Sequence, residues 1–307
     1  MKEIKLFAPA TVANVSCGFD VLGFCLDPIG DEMIIRKTDQ PGVRITKIVG
    51  QDLPLVTKKN VAGVAAEALL ASLETPYGFE IEIYKNIKAG SGIGSSAASA
   101  AGAVFGINEL LGRPYSRKEL IQFAMKGEEL ASGVGHADNV SPALLGGFTL
   151  VRCNEQVDVI KLPSPSELYA TIIHPKIELR TSDARSVLKK KIPLSKAIEQ
   201  WGNLAALVSG LYTDDYSLIS RSLVDVVIEP ERSPLIPFFN DLKAAALNAG
   251  ALGSGISGSG PSIYALSRGE ETAQKVCQQM EEVFLPMNID FNTYVSKINA
   301  EGIKIIE

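Results

Sequence analysis

Apolar and polar side chains alternate most clearly over residues 79–85 (FEIEIYK), where every second position is apolar. A period of two is typical of a strand with one buried face, so this segment is predicted as a β-strand. Weaker patterns of the same kind predict further strands at residues 4–8, 33–36, 43–48, 146–151, 169–173 and 263–266.

Helices are predicted where apolar residues recur every three to four positions or where Ala and Leu dominate. Residues 95–111 form an Ala-rich segment of this kind, and residues 116–131 begin with a capping box of Ser116 and Glu119. Further helices are predicted at residues 61–73, 194–213, 238–249 and 270–283. Strands and helices therefore mix along the chain, as in the α+β class.

The chain has 307 residues, which is enough for two domains. The segment LPSPSE at residues 162–167 has the composition of a connector. The sequence therefore predicts two lobes, residues 1–162 and residues 163–307. The single tryptophan, Trp201, is predicted to pack inside the second lobe, and His174 receives no function.

The net charge of −5 gives no general attraction for nucleic acid or for an anionic membrane. The cysteines lack CxxC spacing and only two histidines are present, which argues against a zinc site. The start of the chain (MKEIKLFAPA) lacks the apolar run of a secretory signal, and no run of about 20 apolar residues could span a bilayer. A cytoplasmic protein is expected.

Residues 88–98 (KAGSGIGSSAA) lie between the predicted strand 79–85 and the Ala-rich helix. Glycines at alternate positions let the backbone curl and approach a ligand closely, and the unpaired N–H groups at a helix start attract phosphate. No GxxxxGK[ST] is present, and Gly90, Gly92 and Gly94 do not form GxGxxG, so this segment matches neither of the two most familiar phosphate loops. The alternative is a glycine-rich turn whose serines cap a helix.

Three other segments combine small and polar residues. Residues 8–20 (APATVANVSCGFD) embed Asn14 and Asp20 among apolar neighbours, where they either meet a ligand or cap a turn. Residues 127–139 (GEELASGVGHADN) hold two glutamates, which either meet a ligand or are surface acids. They also hold a cluster of polar residues, which either meets a ligand, forms a cap or is part of a metal site. Residues 250–262 (GALGSGISGSGPS) would alone be a flexible loop.

Residues 91–97 (SGIGSSA) resemble the core of the second motif of the GHMP kinases, the family of the galactose, homoserine, mevalonate and phosphomevalonate kinases. Residues 8–20 and 250–262 resemble the first and third motifs, in the family's order. Lys88 departs from the pattern, which has proline there. The resemblance implies a two-lobed α+β fold, with an N-terminal lobe like domain 2 of ribosomal protein S5 and a ferredoxin-like C-terminal lobe. It also implies an ATP-dependent small-molecule kinase.

The resemblance also implies a nucleotide site and a magnesium site. It assigns Mg²⁺ to the Glu128 carboxylate and the Ser96 hydroxyl, with Glu129 as the alternative carboxylate; such hard oxygen ligands, with phosphate and water, suit this ion. The residues that it assigns to ATP are Asn60, Val61, Lys88, Ala89, Gly90, Ser91, Gly92, Ile93, Gly94, Ser95, Ser96, Ala97, Ala98, Ser257, Gly258 and Gly260.

Residues 127–139, 181–185 (TSDAR) and 229–232 (EPER) resemble the family members that phosphorylate homoserine. The implied reaction converts ATP and L-homoserine into ADP and O-phospho-L-homoserine, a step of threonine biosynthesis. Asn139 stands where some relatives have an aspartate, which implies attack by the hydroxyl without a dedicated strong base, assisted by Glu128 and Ser96. The residues assigned to L-homoserine are Asn14, Asp20, His136, Asp138, Arg185 and Arg232, with Asp20 facing the ammonium and the arginines the carboxylate.

Two other functions stay open at this stage. One is a GHMP kinase for mevalonate, a sugar or shikimate, although the cluster at residues 136–139 and the paired arginines favour an amino acid. The other is a sensor that binds ATP or an amino acid without catalysis. The family also suggests a homodimer.

Overall fold

The computed structural model describes residues 1–287 and 289–306. Within them the strands are β1 (Glu3–Ala13), β2 (Leu22–Thr38), β3 (Gly42–Val49), β4 (Gly78–Tyr84), β5 (Phe148–Cys153), β6 (Asp158–Leu162), β7 (Leu168–Pro175), β8 (Gly253–Ile256), β9 (Ile263–Arg268), β10 (Phe291–Ile298) and β11 (Lys304–Ile305). The helices are α1 (Val61–Leu70), α2 (Ser95–Leu110), α3 (Arg117–Ser132), α4 (Ala137–Leu145), α5 (Thr181–Ser186), α6 (Leu194–Thr213), α7 (Tyr216–Ser222), α8 (Glu229–Arg232), α9 (Phe239–Asn248) and α10 (Glu270–Phe284).

Strand β2 organises the sheet because it is 17 residues long and pairs with four other strands along its length. The strand order is β11-β1-β2-β10-β7-β9-β8, with β4 and β5 also on β2, β3 beside β4, and β6 beside β5. Strands β3 and β4 run parallel, whereas the other pairs among the described residues are antiparallel. The α+β prediction is confirmed.

Helix α2 lies very close to the sheet because its sequence is made of small residues. Of its 16 residues, 14 are buried. A Cβ atom on Gly102 would lie 2.2 Å from the Met33 sulfur, and one on Gly106 would lie 2.3 Å from Ile35 Cδ1. Glycine at these positions therefore brings the helix axis onto β2, which fixes where the first turn of α2 points.

The boundary proposed after residue 162 lies between β6 and β7. One large hydrophobic core joins α1–α4 to the sheet around β1 and β2, and a smaller cluster lies under α9 and α10 on the face of β7–β9. The end of the chain returns to the first part, because β11 pairs with β1 and Ile303 belongs to the large core.

Long elements with a clear period are close to their predicted bounds, and residues 194–213 match α6 at both ends. Residues 250–262 do not form one loop, because β8 lies inside this segment. The packing prediction for Trp201 is wrong: the side chain lies on α6 with 61% of its surface exposed. Among the described residues no helix is long and apolar enough to cross a membrane.

Candidate active site

A cleft of about 390 Å³ brings the four motif segments together. It is lined by these predicted site residues: Asn14, Asp20, Val61, Ala89, Gly90, Gly92, Gly94, Ser95, Ser96, Glu128, His136, Asp138, Asn139, Arg185, Arg232 and Gly258. Other predicted residues, namely Asn60, Lys88, Ser91, Ile93, Ala97, Ala98, Ser257 and Gly260, lie outside this lining within the described part of the chain.

The glycine-serine loop runs from the end of β4 to the first turn of α2. Gly90, Gly92 and Gly94 all have left-handed backbone angles, with φ of 74°, 83° and 69°. Only glycine adopts that region at little cost, so the alternate glycines produce the curl that was predicted. Gly94 is also the N-cap of α2 and offers no side chain to the free N–H groups there.

Three successive carbonyl groups of this loop are held by hydrogen bonds from other elements. The Ser262 hydroxyl donates to the Ser91 carbonyl at 2.6 Å, and the Ser257 hydroxyl donates to the Gly92 carbonyl at 2.7 Å. The Thr11 amide donates to the carbonyl of Ile93 at 3.2 Å. The third motif therefore supports the loop through its carbonyl groups. Ser257, which was assigned to ATP, contacts the loop backbone.

Because a trans peptide places its N–H opposite its C=O, these bonds turn the amides of Gly92, Ile93 and Gly94 away from the supporting elements. Among the described residues none of the three amides has a hydrogen-bond partner. Together with the N-terminus of α2 they form a set of donors that fits a chain of phosphate groups.

Asn60 supports α1 instead of lining the cleft. Its side chain accepts from the Ala62 amide at 3.0 Å and donates to the Pro54 carbonyl at 2.8 Å. These bonds make it the N-cap of α1. Val61, the next residue, does line the cleft. The ATP contact predicted for this pair stays a prediction.

Glu128 lies at the cleft end of α3 and is 8% exposed. Burial raises the pKa of its carboxyl to about 7, while a hydrogen bond with Ser96 and the charge of Lys85 act in the opposite direction. Glu129 has a different environment: its side chain is 54% exposed and pairs with Lys126 at 3.1 Å. The carboxylate next to the loop serine is therefore Glu128, whereas the choice between Glu128 and Glu129 as a magnesium ligand stays a prediction.

The sequence did not predict the buried pair of Lys85, which lines the cleft, and Asp31, which lies behind it. Lys85 ends the alternating pattern of residues 79–85, and its ammonium is buried, pairs with Asp31 and donates to the Ser95 carbonyl at 2.9 Å. Asp31 also accepts from the amides of Asn86 and Ile87 at 2.7 and 2.8 Å. This pair places the Lys85 ammonium next to the start of α2. The position of a lysine just before the glycine-serine loop is the feature of the sequence that could have identified it.

Asp20, His136 and Arg185 form a cluster in the lining of the same cleft. The two terminal guanidinium nitrogens of Arg185 donate to the two carboxylate oxygens of Asp20, at 3.3 and 3.2 Å. His136 Nε2 lies 3.1 Å from Arg185, and its Nδ1 lies 3.9 Å from Asp20. Burial lowers the pKa of His136, so near pH 7 the cluster holds one carboxylate and one guanidinium.

Arg232 is far more buried than Arg185, at 3% exposed. Its guanidinium donates to the carbonyls of Ala184 at 2.9 Å and Gly258 at 3.1 Å, while its Nη2 has no partner among the described residues. The Asn14 side chain also donates to the Gly258 carbonyl, at 2.7 Å, and accepts from the Asp20 amide at 2.8 Å. Asn14 therefore caps backbone as well as lining the cleft.

Asp138 and Asn139 lie in the first turn of α4. Burial, together with the negative charges of Asp20 and Glu128, raises the pKa of Asp138 to about 7. Thr11 donates to Asn139 Oδ1 at 2.8 Å, which leaves the amide nitrogen of Asn139 as its free end. The cleft thus carries two carboxyl groups that hold protons unusually well at neutral pH.

His174 extends the support of the loop. It is 3% exposed, and its Nδ1 lies 3.1 Å from the Ser262 hydroxyl. That hydroxyl already donates its proton to the Ser91 carbonyl, so the proton between His174 and Ser262 must belong to the histidine. Burial and nearby lysines lower the pKa of His174 to about 4, which agrees with a neutral ring at pH 7.

Comparison with known proteins decides the family. The family models "GHMP kinases N terminal domain" and "GHMP kinases C terminal" match residues 58–147 and 202–285. A homoserine kinase of Chlorobium phaeobacteroides is 49% identical over the full length of both chains. One of Chlorobaculum tepidum is 48% identical over 100% of this chain and 99% of the relative. The chain belongs to the homoserine kinase group of the GHMP kinases. It is an enzyme of the phosphotransferase class.

Solved structures agree with this membership. The crystal structure of a homoserine kinase from Cytophaga hutchinsonii has a TM-score of 0.96 and 54% identity, and the match covers 100% of this chain and 98% of that one. A mevalonate kinase of L. major in complex with R-mevalonate has a TM-score of 0.72 at 14% identity, covering 96% of each chain. The second likeness shows only the shared GHMP kinase fold, so the predicted fold class is confirmed.

Proposed function

We propose that this enzyme transfers the γ-phosphoryl group of ATP to the side-chain hydroxyl of L-homoserine, giving ADP and O-phospho-L-homoserine for threonine biosynthesis. The main observation in support of this substrate is the pair of Asp20 and Arg185, which lies in the same cleft as the glycine-serine loop. A carboxylate and a guanidinium side by side complement the ammonium and carboxylate of an amino acid. Mevalonate and sugars have no ammonium group for Asp20 to bind.

The free amides of the loop support ATP as the phosphoryl donor, held with its phosphates over the start of α2. The Glu128 carboxylate and the Ser96 hydroxyl would hold Mg²⁺, which supplies charge neutralisation between the phosphates when it is bound. These two oxygen ligands fit this ion. Burial destabilises the ionised form of Glu128, and a bound cation would stabilise that form. No group of three His, Cys, Asp or Glu side chains able to hold a metal is found among the described residues, which suits an ion that relies on substrate and water oxygens.

The acceptor hydroxyl would lie at the amide nitrogen of Asn139, which donates to its oxygen and orients it toward the γ-phosphorus. An amide cannot take the proton of this hydroxyl, which would pass to an oxygen of the transferred phosphoryl group, so positioning and electrostatic stabilisation account for the rate, as is usual in phosphoryl transfer. The cytoplasmic location, the homodimer and the division into lobes 1–162 and 163–307 accompany this function as expectations.

An ADP-release assay with ATP and Mg²⁺ tests the function directly. We expect turnover with L-homoserine and none with mevalonate, galactose, shikimate or L-serine. Turnover with another acceptor alone would overturn the substrate assignment and leave the kinase assignment intact. Failure with every acceptor, combined with tight ATP binding, would favour a sensor.

Asn in place of Asp20 is expected to raise the KM for L-homoserine by about 30- to 300-fold, with the KM for ATP within about three-fold of wild type. Asn tolerates the left-handed backbone at this position (φ 59°), so the fold is retained. Steady-state kinetics with each substrate varied measures the split. Asp183→Asn, an exposed change on the helix that carries Arg185, is the control; equal effects of the two variants would remove Asp20 from the substrate site.

His174 is expected to act as a positioning residue for the loop. His174→Leu removes the donor to Ser262 and should raise the KM for ATP about 10-fold, equivalent to ~1.4 kcal/mol, with little change in the KM for homoserine. His174→Asn keeps a donor at the place of Nδ1 and should restore most of the affinity. Thr171→Val, which removes another buried hydrogen bond on β7 (to the Ala273 carbonyl, 2.9 Å), controls for general destabilisation; a similar ATP effect there would refute the role.

A further inference from the structure

Asp225 lies in the connection between α7 and α8 and is 8% exposed. Its carboxylate accepts hydrogen bonds from the amides of Val227, Ile228 and Glu229, each at 2.9 Å. Helix α8 has only four residues, which is too short for a helix to be stable on its own. The Asp225 carboxylate therefore holds the start of this helix, and with it the position of Arg232 at its end.

Gln200, on α6, connects Asp225 to the first family motif. Its side-chain Nε2 donates to the Asp225 carboxylate at 2.9 Å and to the Cys17 carbonyl at 3.2 Å. Its Oε1 accepts from the Val226 amide at 3.0 Å, so both N–H groups and the carbonyl of this side-chain amide are hydrogen-bonded. Cys17 belongs to the same motif as Asp20, so this Gln200–Asp225 bridge joins the segment that carries Asp20 to the segment that carries Arg232.

The two segments also meet at other points. The Arg232 guanidinium lies 4.9 Å from the centre of the Phe19 ring, next to Asp20 in the chain. Asn14, Asp225 and Arg232 all line one small cavity of about 10 Å³. An α-amino acid carries its ammonium and its carboxylate on one carbon, so it meets Asp20 and Arg232 together only if their separation is held to within about 0.5 Å.

We propose that Gln200 and Asp225 are positioning residues for the amino acid substrate, which hold Arg232 at a fixed distance from Asp20. The inference rests on the proposed function, because it takes Asp20 and Arg232 as the groups that bind the ammonium and the carboxylate of L-homoserine. Within the described residues, neither Gln200 nor Asp225 lines the cleft or is hydrogen-bonded to the glycine-serine loop. They act through the residues that they hold, and ATP binding does not depend on them.

Asp225→Asn and Gln200→Met test the two halves of the bridge. Each should raise the KM for L-homoserine about 10-fold and leave kcat and the KM for ATP within about three-fold of wild type, because only the amino acid loses its alignment. Asn203→Leu is the matched control. It removes another hydrogen bond from α6 to the same connection (to the Val224 carbonyl, 3.0 Å) but none to Asp225, and it should change the KM for L-homoserine by less than about two-fold. Thermal unfolding confirms that each variant is folded at the assay temperature.

A double-mutant cycle with Arg232 separates positioning from a general loss of structure. Arg232→Gln alone should raise the KM for L-homoserine about 100-fold. Adding Asp225→Asn should then raise it by less than about two-fold, since the residue that Asp225 positions is already removed.

Multiplicative effects in this cycle would overturn the inference, as would an equal effect of Asn203→Leu or an unchanged KM for L-homoserine in both bridge variants. These outcomes differ from a failure of the proposed function. A wild-type enzyme that does not turn over L-homoserine would overturn the proposed function and the positioning role with it, whereas normal turnover in the wild type and in both bridge variants would overturn the positioning role alone.

Discussion

Glutamine in place of Glu128 is expected to lower kcat by about 100- to 1,000-fold, because the site would lose the carboxylate that we propose as a ligand for the magnesium of MgATP. The rest of the cleft should be retained, since glutamine has the same size and can still accept the hydrogen bond from Ser96. Steady-state kinetics at several magnesium concentrations measures both the rate and the loss of apparent affinity for the ion. Glu129→Gln is the matched control: it changes an exposed acid one position away and should alter kcat by less than about two-fold.

The same variant should be more stable than the wild type in alkaline but not in acidic solution. Because burial raises the pKa of Glu128 from 4.5 to about 7, folding favours its protonated form. Below pH 4.5 the carboxyl is protonated in both states and costs nothing; between pH 4.5 and about 7 the cost of keeping it buried grows as the unfolded state ionises. At pH 8 in the absence of ligands we expect Glu128→Gln to gain ~3 kcal/mol in the free energy of unfolding, and none near pH 4. An equal gain at both pH values would mean that ionisation of the buried Glu128 carboxyl does not lower the stability of the wild type.

Local rules predicted the parts of the site that depend on local backbone. The glycine pattern of residues 88–98 predicted the left-handed curl, because left-handed backbone angles restrict the choice of residue at each position. Likewise, the capping box of Ser116 and Glu119 is present at the start of α3. Helix α4 escaped prediction because it is short, begins at His136 without a side-chain cap and contains Pro142.

Contacts between distant segments could not be read from the pattern. The period of two that runs through β4 places Lys85 on the buried face of the strand, but it does not show that its partner is Asp31, 54 positions earlier. His174 is connected to the glycine-serine loop by its hydrogen bond with Ser262, which lies 88 positions later in the chain. Burial of a polar side chain depends on what the rest of the fold places beside it, so a sequence can supply the candidates while the tertiary structure decides between them.

Alanine in place of Gly92 is expected to reduce kcat/KM for ATP by at least about 100-fold, equivalent to ~2.7 kcal/mol. A Cβ atom there would lie 2.6 Å from the carbonyl oxygen of Gly260 and 2.7 Å from that of Ser257. Both are backbone atoms of the third motif, which cannot rotate away as a side chain would. The loop must therefore move off its support, and the amides that face the cleft would lose their alignment.

Gly90→Ala separates this steric effect from backbone strain. Gly90 has nearly the same left-handed φ, 74° against 83° for Gly92, but no atom lies within 4 Å of its Cβ position. Alanine at residue 90 should therefore cost only the ~1 kcal/mol of the left-handed conformation and lower kcat/KM by less than about ten-fold. Thermal unfolding of both variants, with and without MgATP, completes the comparison. Similar losses in the two would show that the loop depends on its own flexibility, whereas a large excess for Gly92→Ala would show that close contact with residues 257–260 holds the phosphate site in place.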